Sequence, residues 1–406
     1  MKELDIRGDR TYKMLIAPGL LPEAGKYIYQ TLGGSRAFVL TDSTVAALPS
    51  MPLATIYRSL TEAGYQVSTC QLPAGESSKN PTAYLDVVSM MADRGLQPTD
   101  ILVALGGGMI GDLGGFAAAT YMRGIKCVQV PTTFLAAVDS SVGGKTAIDL
   151  PQGKNLIGAF WEPSLVLCDP ELLLSLPASV FMDGCAETIK YGILKDPEII
   201  SLLRQALEKT AERFAKTGDL ANTCGHADET SGLVAFCADG LGARDSGKPA
   251  AEAGSDDVTE LLSQVIARAV TTKEFYVHGD VTDKGKRGFL NLGHLLGHAI
   301  EAWSCFSLSH GQSVAMGMVL EARGCARLGL TSPETAEEIR DLIHGFGFAI
   351  DPPCTVQEIL PYLVHDKRIR NNSIGLIVPD SIGSCHMEPY PADELENFAR
   401  LGFGEQ

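Results

Sequence analysis

Through its first 170 residues the chain alternates between short apolar, β-branched runs and longer stretches whose apolar residues recur at helical spacing. YKMLIAP, SRAFVLTD, YQVSTCQLP, DILVALGGG, CVQVPTT and SLVLCD read as strands, and PTAYLDVVSMMADRG is typical of the helices between them. Strand and helix in turn is the pattern of βαβ units and predicts a mostly parallel sheet. Near Asp169 the rhythm changes. PASVFMDGCAETIKYGILK, PEIISLLRQALEKTAERFAK, VTELLSQVIARAV, GHLLGHAIEAW and SVAMGMVLEARGCARLG all carry a helical period, with SIGLIVPD as the main exception. The pattern predicts an α/β domain over 1–170 and a mainly α-helical domain over 171–406. From about Lys216 to Asp256, Gly, Ala, Asp and Ser dominate, which predicts a long loop or insertion.

Composition narrows the class. With 406 residues, 45% of them hydrophobic, the chain can bury a sizeable core in two or three domains. Lys and Arg number 33 against 49 Asp and Glu, a net charge of −16 that argues against nucleic acid or an anionic membrane as partner. A local basic pocket can still hold an anionic substrate. MKELDIRGDRTYKMLI lacks the apolar core of a signal peptide, and no apolar run approaches the roughly 18 residues of a membrane helix. The ten cysteines are scattered, without a CxxC pair, and read as reduced core residues of a cytoplasmic protein. Cys224, His226 and Cys237 are the one set that could be read as a small metal knuckle.

ILVALGGGMIGDLGGFAAA sets Gly106, Gly108 and Gly111 in GxGxxG spacing between a strand and a helix, as in a Rossmann-like nucleotide turn. Glycines there let the backbone approach a phosphate, and the helix N-terminus supplies N–H groups; a tight strand-to-helix turn is the plainer explanation. The usual acidic residue about twenty positions later is missing, and the better ribose partner, Asp42, comes earlier. Strand ends of an open parallel sheet line one crevice, so Asp42, Glu76, the glycine loop and Thr132–Thr133 are expected to converge on one nucleotide. Taken singly, each also reads as a cap or turn residue.

Polar candidates follow. PTTFLAAVDSSVGGKTAIDLPQGKNLIGAF offers Asp139, Lys145, Lys154 and Asn155, and lysines among glycines suit an anion, or else are solvated loop residues. In GCAETIKYG, Glu187 and Lys190 share a helix face among apolar neighbours, where a carboxylate is costly without a cation. A surface ion pair would also explain both. His294 and His298 share a face four residues apart, and His310 opens the next helix. Two histidines and a carboxylate with one position open are the donors of a catalytic Zn²⁺ site, and histidines satisfied in a core or capping helices are the alternative. Glu187 is the candidate third ligand, and spacing does not say which two histidines join it. Lys273, Arg287, Asn291 and, near the end, Lys367 add cations and an amide.

Together these segments resemble the 3-dehydroquinate synthase family of sugar-phosphate cyclases over nearly the whole chain. The likeness is densest in GGGMIGDLGGFAAATYMRG, QVPTTFLAAVDSSVGGKTAI, GKNLIGAF, AETIKYG, RGFLNLGHLLGHAIE and LSHGQSVAMGM. The resemblance implies that Glu187, His294 and His310 bind Zn²⁺ or Co²⁺ and leave His298 for the substrate. It implies NAD⁺ contacts from Asp42, Glu76, Lys79, Gly107, Gly108, Gly111, Asp112, Thr132, Thr133, Lys145, Lys154 and Ser175, the last where the family often has Thr. A phosphorylated seven-carbon 3-deoxy sugar acid would meet Asp139, Lys145, Asn155, Lys190, Lys273, Arg287, Asn291, His298 and Lys367, and Arg123 would reach the neighbouring subunit of a homodimer. The implied reaction is transient oxidation by NAD⁺, β-elimination of phosphate, re-reduction and aldol closure, without net redox change. Leu295 and Leu296 stand where Thr and an aromatic are common, and Gln312 where Glu is usual, which bears on the support of His310. Rival readings are an aminodehydroquinate synthase or another cyclase, a metal-dependent polyol dehydrogenase, and a nucleotide or metal sensor without turnover.

Overall fold

The computed structural model describes residues 1–217, 255–283, 285–363, 369 and 372–405, without the side chains of 212–217 and 255–256. Lys367, the Cys224–His226–Cys237 set and most of the expected insertion lie outside the described residues. The chain divides into two compact units, Met1–Leu176 with Lys273–Asp283, and Pro177–Thr272 with Lys284–Gln406.

The first unit is built on β1 (Lys2–Arg7), β2 (Thr11–Ile16), β3 (Arg36–Asp42), β4 (Gln66–Leu72), β5 (Ile101–Gly106), β6 (Lys126–Pro131) and β9 (Leu165–Cys168). They form one seven-stranded sheet in the order β1-β2-β9-β6-β5-β3-β4. Only β1 pairs antiparallel, with β2; every other pairing is parallel. The alternation of side chains along the strands fills two cores. Val39 and Val103 point to the face covered by α1 (Ala24–Leu32) and α3 (Pro52–Glu62), where Ile28 and Ile56 are fully buried. Phe38, Leu40 and Leu102 point to the other face, against Val87 and Met91 of α4 (Pro81–Asp93) and Leu113 of α5 (Gly108–Thr120). The short helix α2 (Ser43–Ala47) follows β3 directly. The expected mostly parallel α/β fold is present.

Two elements of this unit depart from the expectation. The polar segment after β6 holds a separate ribbon of β7 (Lys145–Leu150) and β8 (Gly153–Phe160), paired antiparallel. β1 is a six-residue edge strand whose only buried position is Ile6, too polar a run to stand out.

The second unit is mainly helical: α6 (Ala178–Leu194), α7 (Glu198–Thr217), most of α8 (Ser255–Val277), α9 (His294–Trp303), α10 (His310–Arg327), α11 (Pro333–Gly345), α12 (Val356–Leu363) and α13 (Leu395–Phe403). α10 is buried over most of its length and sits in the middle, packed by α6, α9, α11 and α13. Leu295 and Leu296, the departures from the family pattern, lie in its core with Met316, Leu320 and Phe398. β10 (Ser373–Ser381) is the strand expected from SIGLIVPD, and β11 (Ser384–Pro391) pairs with it antiparallel. Among the described residues no helix is long and apolar enough to cross a membrane. The eight described cysteines are all unpaired, and five are buried.

Candidate active site

In the first unit the strand order reverses at β3: β4 lies on one side of it and β5 on the other. Such a reversal opens a crevice outside the carboxyl ends of the strands. Asp42 closes β3, Gly106 closes β5 and leads through Gly107 into α5, Glu76 follows β4, and Thr132 follows β6 with its N–H on the Gly106 carbonyl at 3.0 Å. Most of the expected cofactor residues therefore share one edge of one sheet. Their local duties are visible as well. Asp42 caps α2, its Oδ1 accepting from the N–H groups of Thr44 at 2.8 Å and Val45 at 3.0 Å. A Cβ on Gly107 would stand 2.9 Å from Thr133, and one on Gly111 would stand 2.8 Å from Gln129, so these glycines also let α5 approach the sheet.

Lys79 organises the polar side of this edge. Its buried ammonium donates to Asp112 Oδ2 at 2.6 Å, Asn155 Oδ1 at 2.6 Å and Glu76 Oε1 at 3.4 Å. Burial lifts the Asp112 carboxyl, with Glu76 adding to it, and Lys79 only partly offsets this, leaving a value of about 6. Asn155, expected at the substrate, thus shares Lys79 with Asp112 and Glu76. Lys154 precedes it on β8 and is half-buried. Ser175 is exposed and donates to the Leu172 carbonyl at 2.8 Å, so its hydroxyl has a local partner in the turn after β9.

Two expected substrate cations of this unit are each held by a carboxylate. Lys273 is buried and donates to Asp139 at its Oδ1, 2.8 Å, and at its carbonyl, 2.6 Å. Lys145 donates to Asp283 at 2.5 Å. Arg123 is exposed on a turn where Met122 and Arg123 have φ of 50° and 66°.

In the second unit three helices bring Glu187 of α6, His294 of α9 and His310 of α10 together. Glu187 Oε1 lies 3.3 Å from His294 Nε2 and 3.4 Å from His310 Nε2. The oxygen is buried and makes no hydrogen bond, while its twin, Oε2, accepts from the buried Lys190. The i,i+3 pair is therefore not at the surface; both groups are 2% exposed or less. Burial pushes the Glu187 carboxyl up, but Lys190 and the two imidazoles outweigh it and hold the group well below the ordinary range. Burial and Lys190 lower His294 against the pull of Glu187. Burial lowers His310, but the carboxylates facing both of its ring nitrogens outweigh it and raise the group to about 10.

This donor set fits a divalent cation. A tetrahedral Zn²⁺ with bonds of about 2.1 Å separates its ligand atoms by roughly 3.4 Å, close to the spacings seen here. The orphaned oxygen is the group such an ion would satisfy. The ring nitrogens turned away are also placed: His294 Nδ1 lies 3.0 Å from the Leu292 carbonyl and His310 Nδ1 lies 3.2 Å from Glu301 Oε2. Partners of this kind fix the tautomer and the ring orientation of a ligating histidine.

His298 is exposed and belongs to a second group, with Glu301 and His310. Arg287 is buried in the turn before α9, and Asn291 donates to the Gly288 carbonyl at 3.0 Å. Gln312 donates to the Ala349 carbonyl at 3.0 Å, so its departure from the family pattern leaves His310 supported by Glu301. Sequence reasoning passed over Glu301, Asp183 and Glu321, all buried or half-buried beside the triad. The available signal was an isolated carboxylate within an apolar helical run, plainest for Glu321 in AMGMVLEARG.

The family models for the 3-dehydroquinate synthase N-terminal and C-terminal domains match residues 69–183 and 246–369. A 3-dehydroquinate synthase of Pelobacter propionicus is 38% identical over 396 residues, covering 97% of each chain. Among solved structures, 2-deoxy-scyllo-inosose synthase complexed with carbaglucose-6-phosphate, NAD⁺ and Co²⁺ superposes with a TM-score of 0.76 at 22% identity, covering 98% of this chain and 99% of that one. The 2-epi-5-epi-valiolone synthase of Streptomyces hygroscopicus, with NAD⁺ and Zn²⁺ bound, gives 0.74 at 23%, covering 98% and 96%. These two establish the shared fold. Matched by both family models and by full-length relatives, the chain belongs to the 3-dehydroquinate synthase family.

Proposed function

We propose that the protein converts 3-deoxy-D-arabino-heptulosonate 7-phosphate to 3-dehydroquinate and phosphate, a carbon–oxygen lyase step of aromatic amino-acid biosynthesis. In a chain of this family, the observation that carries the reading is Glu187 Oε1, buried, without a hydrogen bond, and faced by two imidazole Nε2 atoms. When bound, NAD⁺ would accept and return a hydride, and Zn²⁺ or Co²⁺ would act as a Lewis acid toward the C5 alcohol.

Glu187, His294 and His310 would hold the cation, and the carboxyl edge of the sheet, from Asp42 to Thr133, the dinucleotide. The substrate brings a phosphate and a carboxylate, which calls for several fixed cations. Lys145, Lys190, Lys273 and Arg287 are proposed for that work, with Lys367 outside the described residues. The Asp139 and Asp283 carboxylates keep Lys273 and Lys145 in defined positions before an anion arrives. His298, exposed, is left to exchange protons with the substrate.

We also propose a homodimer through the β7–β8 ribbon. Leu156, Ile157 and Phe160 of β8 are exposed, as is Met122 beside Arg123. Trp161 joins the two places, its Nε1 donating to the Ile125 carbonyl at 3.1 Å. An apolar strand with an open edge invites pairing, here with a second copy of the chain.

The test is phosphate release from 3-deoxy-D-arabino-heptulosonate 7-phosphate with NAD⁺, with and without Zn²⁺ or Co²⁺, while absorbance follows NADH. Metal-dependent release without net NADH is expected. No release with both cofactors demonstrably bound would overturn the reading.

A further inference from the structure

We infer that Asp183 and Glu321 act as a clasp that presets the Glu187–His294–His310 donor set, and so govern how tightly and in what coordination geometry a divalent cation is held. The inference rests on the metal reading above. The three donors sit on three different helices, so their spacing depends on how those helices are indexed to one another.

Glu321 of α10 reaches the N-terminus of α9. Its Oε2 accepts from the Gly293 N–H at 2.8 Å, and its Oε1 from Leu295 at 2.8 Å and Leu296 at 3.1 Å. Gly293 has no side chain to cap α9, so a carboxylate from another helix supplies the acceptors that a Ser or Asp would give. α10 has Ser309 as its own cap, accepting from the Gln312 N–H at 3.3 Å, and Asp183 adds a bond from α6, its Oδ1 accepting from the Gly311 N–H at 2.9 Å. Both carboxylates face the positive end of a helix, the charge sign that setting favours.

Gly293 and Leu295 flank His294 in the chain, Gly311 follows His310, and Asp183 lies four residues before Glu187 on its own helix. Three of the four clasp bonds therefore end one residue from a metal ligand and the fourth, at Leu296, two residues from His294, whereas a cap serving stability alone could sit on any helix of the unit. The backbones beneath are close as well. A Cβ on Gly297 would stand 2.8 Å from the Ser313 carbonyl, and one on Gly311 would stand 2.4 Å from Asp183 Cα. With little side-chain padding between helices, a lost clasp bond passes directly into the positions of the imidazoles. Metal sites depend on such supports to within fractions of an ångström.

The test uses the full chain stripped of metal and titrated with Co²⁺, as Glu321→Gln and Asp183→Ala beside wild type and His294→Ala. The readouts are the Co²⁺ dissociation constant, by chelator competition, and the visible absorption band, whose intensity reports tetrahedral coordination. We expect each clasp variant to keep the wild-type far-ultraviolet circular dichroism, bind Co²⁺ about 10–100-fold more weakly and show an altered band. Folded variants with wild-type affinity and spectrum would overturn the clasp. If Glu321→Gln does not fold, Asp183→Ala decides alone, since Asp183 is only half-buried. Full Co²⁺ binding by His294→Ala would instead bring down the metal reading, and the clasp with it.

Discussion

Glu301 Oε2 stands 3.2 Å from Nδ1 of His310, while Nε2 of the same ring faces Glu187 Oε1 at 3.4 Å. The ring lies between two carboxylates, and its contact with Glu301 fixes its plane before any ligand arrives. Glu301→Ala should weaken Zn²⁺ or Co²⁺ binding about 10–100-fold, and Glu301→Gln, which keeps an acceptor, should lose less. Equal metal affinity in wild type and Glu301→Ala, measured by chelator competition, would show that His310 is oriented by something else.

Gly317 sits where α10 crosses α9. A Cβ there would stand 1.9 Å from the Gly293 carbonyl oxygen and 2.7 Å from the Gly297 nitrogen. Because the obstacles are backbone atoms, Gly317→Ala must push the helices apart, at a cost of about 3 kcal/mol or more. Both melting temperature and metal content should fall, and an unchanged melting curve would contradict the close crossing.

Lys79 neutralises a crowded set of acids around Asp112 and Glu76. Lys79→Ala leaves Asp112 without its cation, and removing one partner of a buried pair costs about 3 kcal/mol. The variant should unfold at lower denaturant without NAD⁺ present and bind NAD⁺ more weakly. Wild-type stability would mean that Asp112 finds another partner or simply takes up a proton.

Asp100 gives a pH-dependent signal unrelated to the active site. Burial pushes its carboxyl up, but N–H groups of Gln97, Arg36 and Ser35 more than offset this and hold it below its ordinary 3.8. A depressed folded value means that the ionised form stabilises the fold above pH ~4, and that this contribution fades as pH falls through the folded value. In Asp100→Asn an amide NH₂ meets a backbone N–H, costing about 2 kcal/mol at pH 7. Denaturation from pH 7 to pH 3 should show the gap between variant and wild type closing in acid. A gap that is constant with pH would rule out the ionised carboxylate as its source.

Ile157→Lys on the exposed face of β8 tests the dimer. Sedimentation of the wild type should give twice the chain mass, and that of the variant should shift toward the monomer. A monomeric wild type at micromolar concentration would remove the ribbon as an interface.

The α/β part of the fold was legible because its parallel strands are buried on both faces and read as continuous apolar runs, as in DILVAL. β8 was not legible because its residues are mostly exposed, and β11 because it pairs polar residues such as Glu388 with the readable β10. The triad residues were named through family likeness; spacing alone left open which histidines join Glu187. The crossing of α9 and α10 decides that, and no local pattern encodes it. Asp183, Glu301 and Glu321 escaped notice for a related reason. A carboxylate in a helix reads as solvent-facing until the amides and imidazole it serves, on other helices, are in view.

Lys190 makes Glu187 tolerable inside an apolar helix, and that has a consequence for reactivity. A carboxylate already balanced by an ammonium brings almost no net negative charge to a dication, and neutral imidazoles bring none. An ion seated among these groups would keep most of its double charge for whatever it meets on its open side. The protein thereby exchanges strength of grip for electron-withdrawing power, and leaves the grip to geometry.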